Sequence, residues 1–283
     1  MARVLVVGCG YVGSALAARL VGDGHEVFGL RRSESDLPAG VSLVRADVTD
    51  TRTLRASLPA SIDQVFYTAA ADGSSEAAYR AAYVDGLRNV VAATREAGAL
   101  PRRLIVTTST AVYAQDAGEW IDEESATEPT RFQGRILLES EAVAFGSGIP
   151  AVAVRFGGIY GPGRTRLIDQ VRRSEASLPA RATYTNRIHR DDCAGVLRHL
   201  MNVETPSRVY VGVDRDPADY REVVTWLADR LSAPAPRVEG AEAGTGARGK
   251  RCRSDRLVAS GYRFAYASFR DGYDSMIRAA PRD

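Results

Sequence analysis

The sequence predicts an α/β protein built on a doubly wound parallel sheet and followed by a smaller C-terminal lobe. Three observations support this fold class. Short apolar runs rich in β-branched residues alternate with helical segments of ten or more residues. The chain opens with a strand, a glycine cluster and a helix over residues 3–24, and the alternation loosens after residue 157. With 283 residues the chain can bury a sizeable core.

The first half of the chain contains the clearest elements. Predicted strands cover residues 3–8, 25–30, 41–48, 63–71, 102–110 and 150–157. Predicted helices between them cover residues 11–24, 51–58, 75–98 and 131–146, and Asp50 is a good N-cap for the second. In such a sheet, ligands bind at the carboxyl ends of the strands. We therefore expect functional residues directly after these runs.

The second half is less regular. Residues 157–164 are rich in turn formers, and residues 166–174, 191–202, 219–232 and 254–262 have helical spacing. Residues 207–213 form one more predicted strand, whereas the Pro-, Gly- and Ala-rich stretch 233–250 is predicted to be an exposed loop. We divide the chain into residues 1–157 and a lobe of residues 158–283 that interleaves with the first part.

Composition excludes several classes of protein. The formal net charge is only +2 and charged residues make up 25% of the chain, so neither nucleic acid nor a membrane surface is an expected partner. The three cysteines form no C-x-x-C pair, which predicts neither a disulfide framework nor a metal site and suits the cytoplasm. No apolar run reaches the length of a membrane span. A small molecule is the expected partner.

The glycine cluster "GCGYVG" fits the pattern G-x-G-x-x-G through Gly8, Gly10 and Gly13, with Tyr11 and Val12 between them. A strand before it and an apolar helix after it are the context that this pattern requires. The glycines allow a tight turn and a close approach of the backbone to a pyrophosphate at the helix N-terminus. The sequence therefore predicts a Rossmann-like dinucleotide site rather than a merely tight turn.

The end of the second strand indicates which dinucleotide is bound. An NAD site usually has an acidic residue here for the ribose 2′-hydroxyl, but "FGLRRSES" has Arg31 and Arg32 at this place. Arginine matches a 2′-phosphate in charge and in the geometry of its donors. We predict NADP rather than NAD. The alternative interpretation is a solvated basic turn.

Two further segments are candidates for cofactor contact. Asp47 and Val48 follow the third strand, where Asp47 either contacts the adenine amine or forms the turn. Ala69, Ala70 and Ala71 end the fourth run with side chains small enough to let the backbone pass close to a dinucleotide.

By its ordered motifs the chain resembles the extended short-chain dehydrogenase/reductase superfamily, in its NAD(P)-dependent epimerase/dehydratase group. The motifs that carry the resemblance are "GCGYVG", "RADVTD", "YTAAA", "YVDGLRNVVAA", "TTSTAVYA", "VRFGGIYGPGR", "RIHRDDCAG" and "VYVGVDRDP". The resemblance implies a cofactor domain, a C-terminal substrate lobe and a hydroxy, keto or nucleotide-sugar substrate. It also implies a homodimer as the assembly to expect.

The same resemblance implies a Ser/Thr–Tyr–Lys active site, and here the chain departs from the pattern. Ser109 matches the hydroxyl residue, but Gln133 stands at the Tyr position and Leu137 at the Lys position. The implied Lys would lower the Tyr pKa by its positive charge, whereas Gln cannot exchange a proton and Leu has no charge. Tyr83 stands where the family pattern has an Asn.

Other residues must replace the missing pair if the protein is an enzyme. Our catalytic candidates are Ser109 and Thr110, which could bind a carbonyl oxygen, and Tyr113 as a proton donor, although these could also be structural. The candidates for substrate contact are Gln133, Tyr160, Arg164, Arg187 and His189.

Two functions remain open from the sequence. The first is an NADP-dependent oxidoreductase or epimerase-like enzyme on a small polar or anionic hydroxy or keto substrate. The second is an NADP-binding sensor or structural partner without turnover.

Overall fold

The structure is a computed structural model that describes residues 1–33, 37–98, 100–239 and 246–279. These residues form two compact units. Unit 1 comprises residues 1–114, 126–155 and 193–210, and unit 2 comprises residues 115–125, 156–192 and 211–283.

The strands, in chain order, are β1 (Arg3–Val7), β2 (Glu26–Arg31), β3 (Val41–Arg45), β4 (Gln64–Tyr67), β5 (Arg103–Ser109), β6 (Ala117–Ile121), β7 (Ala151–Phe156), β8 (Gly158–Tyr160), β9 (Ser177–Pro179), β10 (Arg187–His189), β11 (Val209–Gly212), β12 (Arg237–Glu239) and β13 (Gly249–Cys252). The helices are α1 (Tyr11–Gly22), α2 (Thr51–Ser57), α3 (Glu76–Arg80), α4 (Gly86–Glu96), α5 (Phe132–Phe145), α6 (Arg166–Arg172), α7 (Arg190–Asn202), α8 (Tyr220–Leu231), α9 (Asp255–Ala259) and α10 (Phe269–Ala279). A π-helical turn (Ala81–Asp85) joins α3 to α4, and a 3₁₀ turn (Thr110–Val112) follows β5.

The central sheet has seven strands in the order β11-β7-β5-β4-β1-β2-β3. β1 lies between β2 and β4 and is parallel to both, and the pairs β2–β3 and β4–β5 are also parallel. The predicted fold class is therefore confirmed. Leu5 and Val7 of β1 belong to the main core cluster, together with Val65 and Tyr67 of β4. Burial on this scale explains why these strands read as continuous apolar runs.

Local signals in the sequence place several helix ends. The Asp50 carboxylate accepts hydrogen bonds from the backbone N–H groups of Arg52 and Thr53, so it caps α2 as predicted. The helix predicted over residues 75–98 is interrupted by the π-helical turn. There the Tyr67 hydroxyl donates to the carbonyl of Ala82. This hydrogen bond gives that carbonyl a partner from outside the helix.

Unit 2 contains three two-stranded sheets, which are β8 with β10, β9 with β12 and β6 with β13. The prediction of an exposed loop over residues 233–250 is wrong where β12 and the start of β13 lie, and residues 240–245 are outside the described residues. β12 and β13 each pair with a strand that is distant in the sequence, so no local pattern predicts either of them. Phe269, Val223 and Leu227 lie in the core of this unit.

Among the described residues, no helix is both long enough and apolar enough to cross a membrane.

Candidate cofactor and catalytic site

The loop after β1 depends on two of its glycines. Gly8 has a φ of +81°, and a Cβ on it would lie 2.4 Å from the Cα of Ala69. A Cβ on Gly13 would lie 2.4 Å from the carbonyl oxygen of Gly8 and 2.7 Å from the Thr68 hydroxyl. That hydroxyl donates to the Gly8 carbonyl at 2.9 Å. Glycine is therefore required where the loop, α1 and the end of β4 meet.

The N-terminus of α1 is suited to an anion. Its N-cap is Gly10, which has no side chain to accept from the first backbone N–H groups, and Tyr11 and Val12 open the helix. A Cβ on Gly10 would meet nothing closer than 3.9 Å, so this side of the loop is open. The backbone N–H groups at a helix N-terminus and the helix dipole together attract a phosphate group. Gly8, Gly10 and Gly13 thus fit a dinucleotide pyrophosphate.

The arginines at the end of β2 lie in different environments. Arg31 is the last residue of the strand, and its Nε is buried without a hydrogen-bond partner. Arg32 is exposed and forms a two-point ion pair with Asp72, with Nη1–Oδ2 at 2.6 Å and Nη2–Oδ1 at 2.7 Å. A buried donor and an exposed guanidinium at one strand end fit an anionic group such as a 2′-phosphate.

Asp47 forms the turn after β3, which is one of its two predicted roles. Its Oδ1 accepts from the backbone N–H of Thr49 at 2.8 Å and from the Thr49 hydroxyl at 2.7 Å. Burial pushes the pKa of Asp47 up, but the Thr49 hydrogen bonds and the Arg32 charge outweigh burial and lower it. The carbonyl of Val48 accepts from the Asn89 side chain. Contact of Asp47 and Val48 with an adenine remains a prediction.

The alanines after β4 lie beside the phenol of Tyr83. Ala69 packs on Gly8, Ala70 is exposed next to it, and the backbone N–H of Ala71 donates to the Tyr83 oxygen. Burial raises the Tyr83 pKa, the neighbouring Tyr79 adds to the rise, and the Ala71 hydrogen bond opposes it.

Tyr83 also belongs to an aromatic chain that reaches α5. Its ring centroid lies 5.4 Å from that of Tyr79, and the Tyr79 ring meets the edge of Phe132 at 5.7 Å. Phe132 is the first residue of α5 and precedes Gln133. Tyr83 therefore links the segment after β4, which carries cofactor candidates, to the start of α5.

Ser109 and Thr110 stand at the carboxyl end of β5, as predicted. The Ser109 Oγ accepts from the backbone N–H of Ala111 at 3.2 Å, which is a strand-end hydrogen bond, while the hydroxyl proton is free to donate elsewhere. A Cβ on Gly134 would lie 2.4 Å from the Ala111 carbonyl oxygen, so the first turn of α5 packs directly on this segment. The structure thus brings Ser109, Thr110 and the partly buried Gln133 to one end of unit 1.

Tyr113 is only 2% exposed, and its hydroxyl accepts from Arg155 Nη1 at 2.8 Å. Arg155 in turn donates to Glu141 at 2.9 Å and 2.7 Å, and Glu141 also accepts from the Thr108 hydroxyl at 2.8 Å. Burial would lower the pKa of Arg155, but Glu141 outweighs burial and raises it. Tyr113 thus belongs to a buried ionic network, and its phenol is not open to a substrate.

Position 137 of α5, where the side chain is a leucine, is buried as Tyr113 is. Leu137 is buried in unit 1, and Ile136 beside it is buried as well. The apolar side chain of Leu137 thus packs into the interior of unit 1 and helps to hold α5 in place.

The substrate residues predicted in the second half mostly lie inside unit 2. Tyr160, Arg187 and His189 are buried, whereas Arg164 is exposed and donates to the Ile159 carbonyl. The Tyr160 hydroxyl packs on Gly272, where any Cβ would overlap it. Contact of these three residues with a substrate remains a prediction. Helix α10, more than 100 residues away in the chain, covers Tyr160, and the sequence carries no local sign of this.

These buried residues surround an acid that the sequence reading missed. Arg187 hydrogen-bonds Tyr273, and the buried Asp214 has one carboxylate oxygen without a partner. Burial raises the pKa of Asp214 well above its usual range, and the Arg187 charge only partly opposes this effect. The cluster is a polar centre in the core of unit 2. In the described part of the chain, no His, Cys, Asp and Glu cluster has the arrangement of a metal site.

Comparison with known proteins agrees with this geometry. Residues 4–194 match the model of the NAD dependent epimerase/dehydratase family. A protein from Methylobacillus flagellatus, described as an NAD-dependent epimerase/dehydratase, has a solved structure that is 36% identical, with a TM-score of 0.83 over 98% of both chains. A 3-diazoavenalumate denitrifying reductase from a Streptomyces species is 29% identical over 83% of each chain. A 2-alkyl-3-oxoalkanoate reductase from Stenotrophomonas maltophilia is 28% identical, over 82% of this chain and 76% of the relative.

Proposed function

The chain belongs to the NAD dependent epimerase/dehydratase family of NAD(P)-dependent oxidoreductases, and from this premise we propose that it is an NADP-dependent oxidoreductase acting on a small hydroxy or keto compound. The observation that carries the proposal is the pair Arg31 and Arg32 at the end of β2, beside the glycine loop. Residues 1–157 would supply the cofactor site and residues 158–283 the substrate lobe.

Different residues of the cofactor site would bind different parts of NADP. The N-terminus of α1 binds the pyrophosphate, and Arg31 and Arg32 bind the 2′-phosphate. Asp47 and Val48 would contact the adenine, and the small side chains of Ala69, Ala70 and Ala71 would let the backbone pass close to the dinucleotide. When bound, NADP supplies the group that donates or accepts hydride.

The carbonyl end of the substrate meets hydroxyl groups. Ser109 donates to the carbonyl oxygen, because its Oγ only accepts in the backbone hydrogen bond to Ala111. Thr110 supports that segment, and the Gln133 amide offers a neutral donor and acceptor to the substrate. Such donors stabilise the negative charge that develops on the oxygen as hydride reaches the carbon.

The proton comes from Tyr83 in this proposal, rather than from Tyr113. Tyr113 is buried against Arg155, whereas Tyr83 lies in the π-helical turn, accepts a hydrogen bond from the backbone of Ala71 and is only partly buried. Burial raises the pKa of Tyr83, so its phenol carries a proton at neutral pH, and an alkoxide formed on reduction of a carbonyl is basic enough to take that proton. Solvent then returns the proton to the phenolate.

The relatives support a reductive reaction on an anionic substrate. Two of them are reductases, and the name of one specifies an oxoalkanoate. We therefore propose a keto acid as the substrate class to test first, with nucleotide sugars second. We also propose a cytoplasmic location, which suits the free thiols of Cys9, Cys193 and Cys252, and a homodimer.

The test combines binding with turnover. NADPH and NADH are titrated by calorimetry, and nicotinamide absorbance is then followed against a panel of keto acids, simple aldehydes and UDP-sugars. Tighter binding of NADPH and oxidation with a keto acid support the proposal. The Ser109→Ala variant should lose most of that turnover and keep its NADPH affinity. Preferential binding of NADH contradicts the choice of cofactor.

A second candidate function is an NADP-binding sensor without turnover. The observation that favours it is the replacement at Gln133 and Leu137, where the second side chain is buried and uncharged. Tight NADPH binding with no oxidation across the whole panel would support the sensor.

A further inference from the structure

The ion pair between Arg32 and Asp72, which we name the clasp, has the geometry of a site occupied by an internal anion. Both carboxylate oxygens contact the guanidinium, at 2.6 Å and 2.7 Å, and the side chains are 57% and 67% exposed. Arginine binds a phosphate in the same way, with two parallel N–H donors on two oxygens of one anion. The carboxylate therefore stands where a second anion could take its place.

The clasp lies at the cofactor loop because of the strand order. β1 separates β2 from β4 in the sheet, and all three strands are parallel. Their following loops therefore meet at one edge, with the glycine loop in the middle, Arg32 on one side and Asp72 on the other. With adjacent strands about 4.8 Å apart, the clasp joins segments that start roughly 10 Å from each other.

The electrostatics around Arg32 favour exchange of its partner. An exposed ion pair contributes little to stability, so breaking it costs little. A 2′-phosphate carries more charge than a carboxylate and offers three acceptor oxygens. The buried Nε of Arg31, which has no hydrogen-bond partner, adds a second donor beside Arg32. The charge of Asp47 also acts on Arg32, so two carboxylates, those of Asp72 and Asp47, act on this guanidinium when no cofactor is bound.

We propose that Asp72 is a specificity-determining residue of the cofactor site. It holds Arg32 in the cofactor-free protein and competes with the 2′-phosphate of NADP for the same guanidinium. NAD has a hydroxyl at that position and leaves the clasp closed. Asp72 therefore reduces the preference for NADP that Arg31 and Arg32 create. This inference rests on the cofactor assignment made above.

The experiment measures the affinities of NADP⁺ and NAD⁺ by calorimetry at low ionic strength. Asp72→Asn should tighten NADP⁺ binding by about two- to fivefold and leave NAD⁺ binding unchanged, because only the competing charge is removed. The gain should shrink as salt is added. In an Arg32→Gln background the same substitution should have no effect on either cofactor.

The matched control is Glu96→Gln. Glu96 forms an equally exposed two-point pair with Arg55 between α2 and α4, at 2.6 Å and 2.9 Å, so its loss should change neither affinity. An NADP⁺ affinity that falls or stays constant in Asp72→Asn overturns the proposal, as does an equal gain for NAD⁺.

The wild-type protein separates this inference from the cofactor assignment. If the wild type prefers NAD⁺ but Asp72→Asn still tightens NADP⁺ alone, the assignment fails and the competition stands.

Discussion

The buried pair of Arg155 and Glu141 allows a quantitative prediction. The Glu141→Gln substitution keeps the shape of the side chain and removes its charge. The two side chains are only 7% and 4% exposed and form two hydrogen bonds, so the remaining guanidinium would lose its counter-charge in the interior. Removing one partner of such a pair costs about 3–5 kcal/mol. That is a large part of the roughly 5–15 kcal/mol by which proteins of ordinary stability are folded.

Urea unfolding followed by circular dichroism measures this loss as a shift of the midpoint at constant slope. Glu96→Gln serves as the control. Its pair with Arg55 is 50–59% exposed, so its substitution should leave the urea midpoint almost unchanged. The double variant Glu141→Leu with Arg155→Met should recover most of the stability, because it removes both charges and fills the same space. A loss in Glu141→Gln no larger than in the control would refute the reasoning.

Three further predictions concern the two units. Gly13→Ala should weaken NADPH binding by at least about tenfold, because its Cβ would lie 2.4 Å from a backbone oxygen, and calorimetry measures this. Tyr83→Phe should reduce turnover by about 10²–10⁴-fold with unchanged NADPH affinity, whereas Tyr113→Phe should leave turnover within about tenfold. In the wild type, the free energy of unfolding should fall as the pH rises from the acid range. The Asp214→Asn substitution should make this fall smaller. The raised pKa makes the folded wild type bind the proton more tightly than the unfolded chain, so its stability is lost as that proton leaves.

Each of these predictions has an outcome that contradicts it. For the glycine, the control is Gly22→Ala in the same helix, where a Cβ meets nothing within 4 Å, so affinity should persist and stability should rise. Equal losses in both glycine variants would mean that the close approach is unimportant. Equal turnover losses in the two phenol variants would remove Tyr83 as the acid. Parallel pH profiles for Asp214→Asn and wild type would show that another group titrates.

Much of the architecture could be predicted because its signals are local. The apolar run of β1, the glycines after it and the Asp50 cap each act within a few residues. The same holds for Arg31 and Arg32, which lie directly after a strand whose end is visible in the sequence. The pairing of β12 with β9, by contrast, joins segments about 60 residues apart, so nothing within residues 233–250 indicates a strand.

The environment of the site residues was less predictable for the same reason. Tyr113 looked like an available phenol until Arg155, 42 residues later, took its hydroxyl. Arg32 looked like a free cation, although its partner Asp72 is 40 residues away. Tyr160 is covered by a helix near the end of the chain. Sequence spacing identified which chemistry was present, but packing between distant segments decided which groups remain available.

The π-helical turn Ala81–Asp85 determines how far α3 is rotated about the helix axis relative to α4. A π turn holds one more residue than an α turn, and each residue of an α-helix rotates the chain by about 100°. Deleting one alanine here would allow a straight helix and would leave α4 on the sheet. It would also rotate α3 by that angle and carry Tyr79 away from Phe132. The segment should therefore tolerate many exchanges of side chain but not a change in its length.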